Sequence, residues 1–132
     1  MNRMLMSLFA GLAASFAGFL INNRLLKLMG DRVLVTYIPL AEETVKTVAA
    51  VMFGADVVLT HMVFGVVEAV YDLFNSPPAH SFTASVLSMI SHTLLGLTAY
   101  FTIKVSGSVV LAVLVSSVLH SLWNRIMTGY AG

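Results

Sequence analysis

The sequence predicts an all-α membrane protein, a bundle of about five transmembrane helices around a polar centre. Mean hydropathy is +0.92, and 58% of the 132 residues are hydrophobic while only 10% are charged. A soluble domain of this size would need many more charges to cover its surface. In addition, several carboxylates and histidines fall inside the apolar stretches. We therefore expect a single integral membrane domain, residues 1–132, surrounded by the lipid bilayer.

Five apolar stretches account for most of the chain, and each is close to the length of about 20 residues that a transmembrane helix requires. No stretch alternates in the way that a barrel strand does, so helices are predicted throughout. The expected spans are residues 4–21, 33–53, 57–74, 82–103 and 107–127.

The breaks between these spans carry polar and turn-forming residues. Residues 22–32 include three basic side chains, and Asp56 is a plausible N-cap for the third span. The segment 75–81, NSPPAHS, contains two prolines that would end the third span. Residues 104–107, KVSG, separate the last two spans.

The first span can be interpreted in two ways. Its basic start followed by an apolar run is also typical of a signal peptide. However, small and polar residues recur along one face, and small residues at helical spacing let membrane helices pack closely. We therefore favour a packed helix. The residues on that face are Ser7, Gly11, Ser15, Gly18 and Asn22.

Charge and composition restrict orientation and exclude some partners. Net charge is only +1, so no basic surface for nucleic acid is expected, and the absence of cysteine excludes thiolate chemistry. Basic residues in short loops favour the cytoplasmic side, so we expect the N-terminus outside. The membrane we expect is the plasma membrane of a prokaryote. With five spans, Arg24, Lys27, Arg32 and Arg125 share one side, and Arg3 and Lys104 share the other.

Four ionisable side chains fall near the middle of four different spans, at depths that agree within about one helical turn. A charged side chain that faces lipid costs at least a few kcal/mol, so these side chains should face one another. The four residues are Glu43, Glu68, His92 and His120. They predict a polar centre inside the bundle.

This set of side chains allows more than one chemistry. Glu68, His92 and His120 are suitable zinc ligands, which would leave a glutamate of the segment AEETVK as general base. Without metal, a glutamate shielded from bulk water could activate water, with a histidine and Asn124 stabilising the oxyanion. A purely structural hydrogen-bonded core and a proton or ion pathway are further interpretations. The residues alone leave these alternatives open.

Four short motifs together resemble the PrsW-type intramembrane proteases. EETVK (42–46) resembles their EExxK motif, and FGVVEAVYD (64–72) resembles their second motif, FxxxE followed by tyrosine. SHTLLG (91–96) and HSLWN (120–124) are similar to the third and fourth. The similarity covers residues 39–124 in the expected order. The pattern departs at Ala69, where relatives often have asparagine.

The resemblance implies a helical bundle that hydrolyses a peptide bond of a membrane protein or peptide substrate. By the motif match, Glu42, Glu43, Glu68, His92 and His120 are the candidate active-site residues. Such proteins are described as metalloproteases, whereas glutamate-activated water is favoured for the related type II CAAX-processing proteases. The wider group also contains a non-catalytic scaffold subunit of γ-secretase. A catalytically silent membrane scaffold is therefore the alternative function.

The motif EETVK (42–46) also predicts different roles for its two glutamates. Glu42 and Lys46 are four residues apart, with the acid first, which is the favourable order for an ion pair on a helix. Glu43 points about 100° away from Glu42. We therefore expect Glu42 to pair with Lys46 and Glu43 to be the working carboxylate.

Overall fold

The computed structural model describes residues 2–131, and within them it confirms the all-α fold class, with no strand. Five α-helices and one short 3-10 helix follow one another along the chain. Their bounds are α1 Arg3–Met29, the 3-10 helix Asp31–Val35, α2 Tyr37–Met52, α3 Val57–Asn75, α4 Ser81–Ser106 and α5 Val109–Ala131.

Helix α1 is longer than the sequence predicted. The expected break at residues 22–32 is wrong in its first part, because the helix continues to Met29. Leucine, lysine and arginine, which are good helix formers, dominate residues 24–28 and carry the helix onward. The helix ends at Gly30, which has a φ of 72° and donates its N–H to the carbonyl of Leu26. Arg24 and Lys27 therefore lie on the last turns of α1 and not in a loop.

Helix α2 is shorter than the predicted second span. Its 16 residues measure about 24 Å, less than the roughly 30 Å of a bilayer's hydrocarbon core. Pro39 lies in its first turn, where the missing N–H costs no intrahelical hydrogen bond. The residues before it form the 3-10 helix instead. Consequently four helices, α1, α3, α4 and α5, are long and apolar enough to cross a membrane.

Two contacts show that α2 and the 3-10 helix together still run between the two ends of the bundle. At one end, the backbone N–H of Asp56, four residues beyond the end of α2, donates a hydrogen bond to the Ser7 hydroxyl of α1, at 3.0 Å. At the other end Asn124 of α5 donates to the carbonyl of Leu34 in the 3-10 helix, at 2.8 Å. We call the second end, which also contains the turn at Pro77, the Pro77 end.

The distribution of polarity is the reverse of that in a soluble protein. Large apolar side chains such as Phe16, Phe74 and Phe82 are exposed on the outside of the bundle. The interior holds the buried charged and polar side chains Glu42, Glu43, Lys46, Thr47, Thr60, His61, Ser88, Ser91, His92, Ser116, Ser117 and His120. Because lipid solvates apolar surfaces, this arrangement supports a multi-pass membrane protein.

Glycines bring α3 and α4 close together at the level of the polar centre. A Cβ atom added at Gly65 would lie 2.8 Å from the Cβ of His92, and one added at Gly96 would lie 2.7 Å from that of His61. The glycine of each helix thus packs against the histidine of the other. This reciprocal packing places both imidazoles between the helices.

Candidate functional site

Lys46 of α2 lies at the centre of the polar cluster and is fully buried. Its ammonium nitrogen is 2.5 Å from Glu43 Oε1 and 3.0 Å from His92 Nδ1. It also lies 4.5 Å from the centre of the Phe64 ring. The predicted pair of Glu42 and Lys46 is therefore wrong. Lys46 instead pairs with its i−3 neighbour, Glu43, and His92 provides its second acceptor.

Glu43 is enclosed by its neighbours. Its Oε1 accepts from Lys46 and lies 3.0 Å from His120 Nδ1, while its Oε2 lies 3.2 Å from His61 Nε2. Both oxygens are thus occupied, and the side chain is fully buried. The structure brings Glu43 into the predicted centre, but as an anchor for its neighbours.

Glu42 faces the other way and retains an unused oxygen. Its Oε1 accepts a hydrogen bond of 2.6 Å from the Asn22 amide of α1. Its Oε2 is buried and has no hydrogen-bond partner among the described residues. The nearest imidazole nitrogen, His120 Nε2, is 3.7 Å away. A buried carboxylate oxygen without a partner is costly, so this atom indicates a position for a bound group.

His120 connects the two glutamates. A carboxylate only accepts hydrogen bonds, so the ring nitrogen that faces Glu43, Nδ1, carries the proton. In the neutral ring, this assignment leaves Nε2 without a proton, 3.7 Å from the free oxygen of Glu42. A carboxylate that fixes the tautomer of a histidine in this way is common around catalytic and metal-binding imidazoles.

His92 of α4 is engaged at both ring nitrogens. Its Nδ1 accepts from Lys46, so its Nε2 carries the proton and donates to Glu68 Oε2. The hydroxyl of Ser88 donates to the same oxygen of Glu68, at 3.2 Å. Glu68 is the most accessible member of the set, with 34% of its side chain exposed.

A cavity of about 1080 Å³ lies beside this cluster. Its deep end is formed by Glu42, Glu68, His92 and His120, and it extends to Pro77 and His80 at the Pro77 end of the bundle. The rest of its wall is mostly apolar and includes residues of every helix. Glu43, Lys46 and His61 do not line it. Of the two adjacent glutamates, only Glu42 therefore has access to a ligand in the cavity.

Three buried residues, Glu42, His92 and His120, could hold a metal ion, since each offers one ligand atom and these atoms lie within 4.8 Å of one another. Glu68, which the sequence predicted as a ligand, is replaced by Glu42 in this group. The arrangement fits a catalytic zinc poorly, because such an ion takes three protein ligands. Only Glu42 Oε2 and His120 Nε2 are free, while both nitrogens of His92 are engaged.

Asn124, predicted to stabilise an oxyanion, lines the cavity but donates its amide to the carbonyl of Leu34. Sequence reasoning missed the roles of Asn22 and His61. Asn22 continued the small-residue face of α1, which was a signal for packing and not for chemistry. His61 shares a helical face with Glu68, yet it lies two turns away and contacts Glu43 instead.

Comparison of the chain with protein-family models, with curated proteins and with solved structures finds no match.

Proposed function

We propose that this chain is an intramembrane peptidase in which Glu42 activates the attacking water. The observation that carries the proposal is the free Oε2 of Glu42, which is buried, faces the cavity and lies 3.7 Å from the lone pair of His120 Nε2. The resemblance of the four motifs to PrsW-type proteases supports the same conclusion. A membrane protein or peptide within the bilayer would be the substrate.

The two free acceptor atoms suit a water molecule that donates one hydrogen to each. A water held in this way directs its oxygen lone pairs into the cavity, where the carbonyl carbon of a peptide would lie. As the water oxygen bonds to that carbon, Glu42 takes a proton. The C–N bond then breaks, and the same proton passes to the leaving nitrogen. Asn22 and Asn124 both line the cavity and carry amide hydrogens that could reach the oxyanion.

The surrounding residues hold Glu42 and His120 in place. Glu43 fixes the tautomer of His120, and Lys46 in turn anchors Glu43. Glu68 and His92 form the opposite wall of the deep end of the cavity. Since zinc would need a ligand atom that is already engaged, no step of this mechanism passes through a metal ion.

Purified protein in lipid nanodiscs, incubated with a library of membrane-segment peptides and analysed by mass spectrometry, tests the proposal. Glu42→Gln should lower the cleavage rate by about 10² to 10⁴-fold, the usual contribution of a general base. Asp31→Asn removes a carboxylate that is exposed and outside the cavity, so it should leave the rate unchanged. Equal cleavage by the wild type and Glu42→Gln would refute the proposal. Zinc chelators should not change the rate.

The enclosed network around Glu43 supports the second candidate, a catalytically silent scaffold. Lys46 and His61 both bind Glu43, and none of the three lines the cavity, which is what a structural polar core requires. A scaffold would bind another membrane protein stably, and Glu42→Gln would not affect that association. Affinity purification of both forms from native membranes, followed by comparison of the retained proteins, separates this candidate from the peptidase.

A further inference from the structure

Asp72, near the C-terminal end of α3, lies in the wall of the cavity towards the Pro77 end of the bundle. It is one turn beyond Glu68 and three residues before the end of the helix at Asn75. Its side chain is half-buried and makes no hydrogen bond or ion pair with any residue that the structure describes. The mechanism proposed above does not use it.

The cavity as a whole has an acidic and aromatic wall. Its lining includes the carboxylates of Glu42, Glu68 and Asp72, and none of the described lining residues is a lysine or an arginine. The buried cation Lys46 does not line the cavity and is held by Glu43. Beside the carboxylates are the aromatic rings of Phe19, Tyr71 and Trp123. Aromatic faces and carboxylates together favour a cation.

A second observation points to a polar ligand in the deep part of the cavity. Glu42 is 2% exposed, and its Oε2 has no partner among the described residues. The Oδ1 atom of Asn22, also in the cavity wall, is likewise without a partner in the described part of the chain. Polar atoms buried in this way are normally satisfied, so the cavity is built to receive a polar group deep inside an apolar wall.

We propose that the cavity binds an apolar peptide segment whose lysine or arginine side chain pairs with Asp72. This inference rests on the proposed function for the class of substrate, and it adds the position of the basic residue. Glu68 and Asp72 are separated by about 6 Å along α3, which corresponds to about two residues of extended peptide. The basic residue should therefore lie about two residues from the peptide residue that is level with Glu68.

The extent of the cavity favours a peptide as the source of the cation, because the lining reaches Pro77 and His80. Membrane segments carry their lysines and arginines mainly at the cytoplasmic end. The orientation predicted from loop charges places the Pro77 end on that same side. A segment that enters from there would bring its basic flank past Asp72 and its apolar part against Phe19 and Leu87.

The single tryptophan of the chain, Trp123, lines the cavity and provides a direct signal. Peptides with one apolar sequence and a Lys, Gln or Glu at the same position are titrated into protein in zwitterionic nanodiscs, with Trp fluorescence as the readout. The Lys peptide should bind about tenfold more tightly than its Gln twin, and the Glu peptide more weakly still. Trp123→Phe should abolish the signal, which shows that it reports from the cavity.

Variants of Asp72 locate the selectivity. Asp72→Asn should remove the preference for the Lys peptide, and Asp72→Lys should transfer it to the Glu peptide. Asp31→Asn, which removes a carboxylate outside the cavity, should retain the wild-type preference. Because the Asp72 side chain makes no hydrogen bond or ion pair with a described residue, these variants should remain folded.

The outcomes separate this inference from the proposed function. Equal affinity for the Lys and Gln peptides, or a preference that persists in Asp72→Asn, would overturn the inference. A single-chain alkylamine that binds as tightly as the Lys peptide would also overturn it, because the peptide would then contribute nothing. Charge-selective binding without cleavage would support the inference and contradict only the peptidase, while cleavage without charge selectivity would do the opposite.

Discussion

Two adjacent glutamates of α2, Glu42 and Glu43, point to different sides of the polar centre. Glu43 is enclosed by other side chains, whereas Glu42 lines the cavity. On the sealed side, Lys46 and His61 each contact Glu43, and all three side chains are fully buried. On the cavity side, Glu42 and the Nε2 atom of His120 face open space. A rotation of about 100° along the helix separates the two carboxylates. One consecutive pair of residues can therefore serve stability and chemistry separately.

The sealed side should stabilise the fold only as a complete unit. A buried ion pair gains little over apolar packing, but removal of one partner leaves the other charge without compensation. The cavity side should behave in the opposite way. Its unpartnered oxygen costs free energy in the folded protein, so changes there should be tolerated by the fold and should affect ligand binding or reaction.

Lys46→Met should have the largest effect on stability. The substitution leaves the Glu43 carboxylate buried without its cation, and breaking a buried pair typically costs about 3–5 kcal/mol. Unfolding in bicelles, followed by steric trapping, measures the free energy directly. Lys27→Met, on the exposed last turn of α1, is the matched control and should change it by less than about 0.5 kcal/mol.

The double variant Glu43→Gln/Lys46→Met sharpens this result. If charge compensation is the cause, removing both charges should recover a substantial part of the loss, because no uncompensated ion remains. A double variant as unstable as the sum of the two single variants would show that shape and packing, and not the ion pair, hold the sealed side together.

Glu43→Gln should rank second, with a loss of about 2–3 kcal/mol. The amide oxygen still accepts from Lys46 and from His120 Nδ1, but both hydrogen bonds lose the negative charge of their acceptor and become weaker. The same unfolding measurement applies, with Asp31→Asn as the control for loss of a carboxylate at an exposed site. An unchanged free energy of unfolding would mean that Glu43 is not the anchor of the cluster.

Gly96→Ala should destabilise by about 1–3 kcal/mol, the usual cost of overpacking. The new methyl group would lie 2.7 Å from His61 Cβ and 3.3 Å from Val58 Cα, and the backbone of Val58 cannot move without shifting α3. Gly129→Ala in α5 is the control, since nothing lies within 4 Å of its added Cβ. That control should be neutral or slightly stabilising, because alanine is the better helix former.

The fold was predictable from the sequence because hydropathy alone identifies long apolar helices. The depth of His92 and His120 was predictable too, because rise per residue converts position into depth. The end of α1 and the short length of α2 could not be predicted in this way. Residues 22–29, for example, are as suited to a helix as to a loop. The sequence could not predict the partners of Lys46 either, because one of them, His92, lies on another helix.

Glu42→Gln should have the smallest effect on stability and the largest on turnover. Glutamine keeps an oxygen for the Asn22 amide and removes a buried charge, so the free energy of unfolding should change by less than about 1 kcal/mol, towards greater stability. Parallel unfolding and cleavage measurements on Glu42→Gln and Glu43→Gln test the contrast between the two sides. A loss of stability in Glu42→Gln that matches the loss in Glu43→Gln would mean that the free oxygen is occupied in the membrane by a structural partner. Stability retained together with lost cleavage would place the chemistry at the cavity side, since the fold would then be intact when the reaction fails.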